Sequence, residues 1–264
     1  LESYLELLRK PSGLILLNGP TGSGKTTAIY ASLYYLVERH GSAISISTVE
    51  DPVEAPLSMV SQSQLNPAQK FTYPIALRSL LRQDPEVIMV GEIRDPDTAS
   101  IAVQAGLTGH LVISTIHSGS TAGVFARMVN MDIEPFLLCS SVIGVLGVRL
   151  VRKNCPYCSI PYSPPEKFLQ TLPQAVVDEA QFRHGAGCPE CNNSGYGGRT
   201  AITELLRPSE ALRAAVMEKK PSRVLMEIAV KEGMATLYDN GMKRVLRGDT
   251  TFEEVLTVCT SDMM

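Results

Sequence analysis

Gly19-Pro20-Thr21-Gly22-Ser23-Gly24-Lys25-Thr26, continued by Thr27, satisfies the pattern G-x-x-x-x-G-K-[ST]. The apolar run Leu14-Ile15-Leu16-Leu17 precedes it, and apolar residues at helical spacing follow it as far as Val37. A strand that feeds a glycine-rich turn and then a helix start aims several backbone N–H groups at one point. The positive end of the helix dipole adds to them, so that point suits a polyphosphate. Lys25 would reach the β- and γ-phosphates, and the Thr26 hydroxyl would coordinate Mg²⁺. With average residue usage such a pattern arises by accident about once in a hundred chains of this length. The strand–loop–helix context makes accident rarer still.

Working outward, a strand–helix rhythm runs from the loop to about residue 150. Strands are expected at 13–18, 43–48, 59–65, 87–91 and 110–115. Helices are expected at 2–9, 25–39, 73–83, 96–106, 119–130 and 135–148. Alternation of this kind implies parallel pairing with right-handed crossovers, and hence an α/β fold with a mainly parallel sheet. Helices on both faces account for Val87-Ile88-Met89-Val90, which is apolar throughout. Cysteine, proline and glycine dominate 151–198. A further strand at 199–206 would complete the core, and 207–264 reads as a C-terminal helical domain.

Acidic and histidine clusters sit at the predicted C-terminal strand ends, where an open α/β sheet gathers its ligand residues. Thr48-Val49-Glu50-Asp51-Pro52-Val53-Glu54 offers carboxylates that could position water near a γ-phosphate; the plainer reading is a solvated acidic loop. Gly91-Glu92 ends an apolar strand in the manner of a Walker B segment, with Glu92 placed to hold Mg²⁺ through water. His110 and His117 bracket the next strand, too far apart to share a metal. His117, beyond the C-terminal end, is the candidate γ-phosphate sensor, and His110 reads as packing. Arg78 and Arg82 lie four apart on one helix face, and Arg94 follows Glu92. They are either solvated ion-pair partners or groups that stabilise transition-state charge across a subunit boundary.

Cys155-Pro-Tyr-Cys158 and Cys188-Pro-Glu-Cys191 are two C-x-x-C knuckles separated by 29 residues. Four thiolates from two tight turns suit a closed tetrahedral Zn²⁺ site, with two redox-active pairs as the alternative. Cys139 and Cys259 are left as buried thiols. Six cysteines used in this way fit a reducing, cytosolic compartment better than a disulfide framework. The N-terminal residues do not resemble a signal peptide. The most apolar stretch, 135–148, carries glycines and serines and is too short to span a bilayer. The net charge of −3 provides no global basic field for nucleic acid or anionic lipid.

Taken in order, the phosphate loop, Thr-Val-Glu-Asp-Pro-Val-Glu at 48–54, Leu-Arg-Gln-Asp-Pro-Glu-Val-Ile-Met-Val-Gly-Glu-Ile-Arg-Asp at 81–95, Leu-Thr-Gly-His-Leu-Val at 107–112 and the paired knuckles resemble the secretion-superfamily traffic ATPases. These power type II secretion and type IV pilus extension. The resemblance covers nearly the whole chain, including Val245-Leu-Arg-Gly-Asp249. It implies a RecA-like P-loop NTPase core, ATP with Mg²⁺ and Zn²⁺ as cofactors, and a homohexamer. That ring would dock on an inner-membrane platform from the cytoplasmic side, with no nucleic acid partner. It also implies a catalytic carboxylate at Glu54, a Walker B carboxylate at Glu92 and a histidine box at 106–117. Interface or nucleotide-contacting arginines would be Arg78, Arg82, Arg94, Arg127 and Arg199. The tetracysteine insert resembles the secretion and extension members rather than the retraction ones. The family's N-terminal domain is expected to be absent from these 264 residues, so that this stretch alone would hydrolyse ATP slowly and be monomeric. The competing readings are a RecA-like DNA translocase or helicase and a zinc-ribbon binding module with a regulatory nucleotide site.

Overall fold

In the computed structural model, which describes residues 1–260, the chain runs α1 (Glu2–Leu8), β1 (Gly13–Asn18), α2 (Lys25–His40), β2 (Ile46–Glu50), β3 (Ser61–Gln64), α3 (Tyr73–Leu80) and β4 (Val87–Val90). It continues through α4 (Pro96–Leu107), β5 (Leu111–Ile116), α5 (Gly123–Val129), α6 (Pro135–Ser141) and β6 (Val142–Asn154). Then come β7 (Ser159–Pro161), α7 (Glu166–Leu169), α8 (Gln174–Glu179), β8 (Arg183–Gly185) and β9 (Tyr196–Leu206). Helices α9 (Glu210–Met217), α10 (Ser222–Lys231), α11 (Leu237–Leu246) and α12 (Phe252–Thr260) close the description. Positions 261–264 of the expected C-terminal helical domain lie outside the described residues.

The main sheet has the order β3-β2-β4-β5-β1-β6-β9. Pairings β1 with β5 and β6, β2 with β3 and β4, and β4 with β5 are all parallel, as the alternating pattern requires. Strand β1 lies inside the sheet, flanked on both sides, and every one of its residues is buried. That burial explains its apolar composition and holds the loop that leaves its C-terminal end. Helix α2 turns Ile29, Leu33 and Leu36, spaced at i, i+4 and i+7, toward the core. Helix α4 begins where the Asp95 side chain accepts from the Thr98 amide, with Pro96 in the first turn.

Sequence reasoning erred most over 135–148, where a single helix was expected. The helix stops at Ser141, and Val142–Asn154 is one long strand. Two causes account for this. The segment alternates branched residues with glycine, as in Val142-Ile143-Gly144-Val145, which favours extended backbone. In addition, a Cβ on Gly144 would come within 2.4 Å of Leu7 Cδ1, so the glycine admits α1 against the strand. Strand β2 is displaced to Ile46–Glu50 because Gly41–Ala43 forms a short 3₁₀ turn.

The chain divides into two compact units. The first comprises Leu1–Gly147 and Leu205–Met234; the second comprises Val148–Glu204 and Ala235–Met264. The C-terminal helices therefore do not form a separate body: α9 and α10 belong with the first unit, α11 and α12 with the second. The core of the first unit packs Leu14, Leu16, Ile88, Val112 and Val145 from the sheet with Leu212 and Leu225 from these added helices. The second unit has its own smaller core of Val151, Phe168, Ile202, Met242, Val245 and Val255. There Phe168 stacks on Phe252 with ring centroids 4.1 Å apart. Among the described residues, no helix is long and apolar enough to cross a membrane.

Candidate functional site

The glycine-rich loop joins β1 to α2, and Gly22 and Gly24 take φ values of +77° and +94° that other residues rarely adopt. A Cβ on Gly22 would meet nothing within 4 Å, so the loop opens outward there. Lys25 is buried, and its Nζ donates to the carbonyls of Gly19 at 2.7 Å and Pro20 at 2.9 Å. Ser23 Oγ is buried and has no hydrogen-bond partner among the described residues. An unpaired buried hydroxyl is costly, and a phosphate oxygen in the loop would satisfy it. Loop amides, an ammonium and an orphaned hydroxyl form a set of donors suited to an anion. The residues fit a nucleotide phosphate group.

Around this loop the expected residues fall into two groups. Thr26 Oγ1 lies 3.4 Å from the Glu54 carboxylate, so the acidic segment faces the start of α2. Glu92 is mostly buried and ion-paired with the more exposed Arg94. The end of its strand is pinned on both sides: Gly91 donates its amide to Val49 at 2.8 Å, and Thr115 Oγ1 donates to the Gly91 carbonyl at 2.7 Å. His117 is hydrogen-bonded to the Gly19 backbone, and its loop is tied down where the Ser118 amide donates to Asn18 Oδ1 at 2.9 Å. Desolvation first, and then the Lys25 ammonium, hold the His117 imidazole below its ordinary value. The neutral ring therefore dominates at pH 7. Arg78, Arg82, Arg127 and Arg199 are exposed and form no ion pair among the described residues. His110, which read as packing, contacts the Ala105 carbonyl through Nδ1 at 3.2 Å.

Four participants escaped the sequence reading. Asn18 ties the histidine loop, as above. Glu50, weighed only as one of three acids, is buried at the end of β2 and is the most heavily hydrogen-bonded of them. Tyr30 reaches it from α2. Tyr73, at the start of α3, is buried with its hydroxyl 2.5 Å from where a Gly91 Cβ would stand. Burial, followed by the charges of Glu92 and Asp51, pushes the Tyr73 phenol far above its usual range, so it remains protonated. These side chains meet partners far away in sequence, and spacing carries no signal of that kind.

Tyr73 also explains the Gly-Glu ending of β4, since an aspartate at position 91 would collide with the phenol. Gly91→Ala should accordingly destabilise the first unit by about 1–3 kcal/mol through overpacking. Chemical denaturation would read this loss, and Tyr73→Phe in the same chain should recover part of it. A neutral Gly91→Ala would show that the phenol moves aside freely.

In the second unit, Cys155, Cys158, Cys188 and Cys191 bring their sulfurs within 4.8 Å of one another. Sγ–Sγ separations of 3.9 Å (155–188), 3.8 Å (158–191) and 3.7 Å (188–191) exceed any disulfide length. They match the edge of a tetrahedron with metal–sulfur bonds of about 2.3 Å, an edge of about 3.8 Å. Amides of Gly187, Cys188 and Gly195 each donate to a sulfur at 3.3 Å, which favours thiolates. Although burial opposes it, the Cys188 and Gly195 amides help pull the Cys191 thiol below its ordinary range, while burial pushes the Cys158 and Cys188 thiols up. Glycine is required at 185 and 195, where the two backbones cross so closely that a Cβ on Gly185 would lie 1.9 Å from the Gly195 carbonyl oxygen. The residues fit Zn²⁺.

Comparison with known proteins agrees with this geometry. The chain is 45% identical over 257 residues to the type II secretion system protein E of Aeromonas hydrophila, covering 97% of this chain and 50% of that protein. It is 42% identical to the type IV pilus assembly ATPase PilB of Thermus thermophilus, covering 97% of this chain and 29% of that protein. Thus it spans about half the length, or less, of the curated relatives it matches. The crystal structure of the pilus retraction motor PilT with bound ADP superposes with a TM-score of 0.72 at 28% identity, covering 97% of this chain and 64% of that one. The ATPase DotB of Legionella pneumophila shares the fold, with a TM-score of 0.71 at 21% identity over 99% of this chain and 63% of that one. Residues 1–257 match the family described as type II/IV secretion system protein. The chain belongs to that family.

Proposed function

We propose that this chain is the ATP-hydrolysing part of a motor that drives type II protein secretion or type IV pilus assembly. The observation that carries this reading is the phosphate-shaped loop, with Lys25 folded into it and Ser23 Oγ left unpaired, in a member of a secretion family. Amides of residues 22–26 and the Lys25 ammonium bind the phosphates. Thr26 and Glu92 would hold Mg²⁺, which would supply neutralisation of charge developing on the phosphoryl oxygens. Glu54, facing Thr26, orients the attacking water. His117, neutral and beside Gly19, contacts the γ-phosphate region.

Arg78, Arg82, Arg94, Arg127 and Arg199 stabilise phosphoryl charge within and between subunits, the exposed ones being available to a neighbouring copy. The working assembly is a homohexamer on the cytoplasmic face of the bacterial inner membrane, docked on a platform protein. The tetracysteine module, with Zn²⁺, favours secretion or pilus extension over retraction. A net charge of −3 argues against a nucleic acid track.

The test is complementation of a secretion-null or pilus-null strain by the gene carrying Glu92→Gln, scored beside ATP turnover of the purified protein. Expected are loss of both transport and turnover, with the variant still folded and still binding nucleotide. Transport sustained by a variant without turnover would overthrow the motor reading.

A further inference from the structure

Helix α2 grips the acidic segment at two points. Thr26 and Tyr30 are four residues apart, so their side chains share one face of the helix. Thr26 Oγ1 donates to the Glu54 carboxylate at 3.4 Å, while the Glu54 amide donates to the Tyr30 hydroxyl oxygen at 3.3 Å. Glu54 is therefore held by its side chain and its backbone on successive turns of the helix that carries the phosphate loop.

The direction of these bonds is set from below. Tyr30 donates its own proton to Glu50 Oε2, and Glu50 Oε1 accepts from Thr48 Oγ1 at 2.6 Å and Gln62 Nε2 at 3.0 Å. A carboxylate has only acceptors to offer, so the Tyr30 proton must point at Glu50 and its lone pairs must face the loop. The loop's far side is stitched to β3. Gln62 Nε2 donates to the Ala55 carbonyl at 3.1 Å, Gln62 Oε1 accepts from the Leu57 amide at 2.8 Å, and Gln64 Oε1 accepts from the Val53 amide at 3.1 Å. The loop is exposed at Glu54, Ala55 and Pro56 and has little apolar burial to fix it. Polar bonds hold it.

From this geometry we infer that Tyr30 is a positioning residue, a hydroxyl latch anchored on buried Glu50 that fixes the Glu54 carboxylate over Thr26. The inference rests on the hydrolytic reading given above for what the latch achieves, but its geometry can be tested without turnover. Tyr30→Phe removes one oxygen and leaves the ring in place. Amide hydrogen exchange across 53–57 should accelerate about threefold to tenfold, the equivalent of one net hydrogen bond. Turnover should fall on the order of tenfold or more in kcat, with KM for ATP and fluorescent-nucleotide affinity within about twofold of wild type, because the carboxylate loses position while the phosphate loop is intact. Gln62→Leu, which loosens the same loop from the β3 side, should reproduce the pattern.

Unchanged exchange at 53–57 in Tyr30→Phe overturns the latch whatever the activity. Faster exchange with unchanged kcat in an active enzyme overturns the positioning role. Equal losses in kcat and nucleotide affinity do so as well, since they point to a collapsed site. Faster exchange in Tyr30→Phe, beside a wild-type protein that hydrolyses no ATP at all, overturns the hydrolytic reading and leaves the latch standing.

Discussion

Lys25→Ala is expected to lower ATP turnover by at least about two to three orders of magnitude, the scale seen when one preorganised donor is taken from a site of developing charge. The ammonium is buried in the loop, where water screens it poorly, so its attraction for phosphate oxygens is stronger than that of a surface lysine. Its two carbonyl bonds, at 2.7 and 2.9 Å, belong to the loop itself, so alanine should leave the sheet and the helices in place. The expected signature is therefore loss of fluorescent-nucleotide binding and of phosphate release, with an unaltered far-ultraviolet dichroism spectrum. Lys25→Arg should rescue little. A planar guanidinium is bulkier than an ammonium and does not fit between the Gly19 and Pro20 carbonyls. Turnover within tenfold of wild type in Lys25→Ala would mean that the phosphates bind elsewhere.

Legibility from sequence followed the range of the physical signal. The phosphate loop, α2 and β4 were readable because their determinants are local: glycines where φ must be positive, and an apolar run buried on both faces. The tetracysteine cluster was readable because two knuckles state their chemistry without reference to the rest of the fold. The 135–148 segment failed because its branched residues gave only a weak local signal and the rest depends on Leu7, more than a hundred residues away, which packs where a Gly144 side chain would stand. For the same reason Tyr30 and Tyr73 carried no signal in the sequence. What makes them part of the site is a carboxylate at the end of β2 or just beyond β4, brought near by the sheet order. The allocation of α9 and α10 to the first unit rests on apolar packing from Leu212, Val216 and Leu225, and amphipathic helices do not announce which core they will cover.

The second large effect concerns the metal. Apart from Phe168 and a few neighbours that pack on the small core of the second unit, the segment carrying the four cysteines has only short elements to hold it. Its sheet is two strands of three residues each, Ser159–Pro161 against Arg183–Gly185, and a ribbon of that size is marginal in water. Neither α7 nor α8 exceeds six residues, and α8 buries no side chain. Structural Zn²⁺ is worth roughly 10–16 kcal/mol of apparent binding free energy in small zinc modules at neutral pH, far more than such elements provide. Cys191→Ser is the most disruptive single change, since its sulfur accepts from the amides of both Cys188 and Gly195. It should abolish stoichiometric zinc on elemental analysis and lower the unfolding temperature of the second unit by more than about 10 °C, given about 4–8 °C per kcal/mol for a unit of this size. Strong chelators should reproduce that loss in the wild type and leave Cys191→Ser unmoved. Zinc should also leave more readily as pH falls, because thiolates must be protonated for release. Nucleotide affinity at Lys25 should survive, because all four cysteines lie in the second unit and every residue of the phosphate loop in the first. A purified protein free of zinc, with an unfolding temperature indifferent to chelator, would refute the assignment.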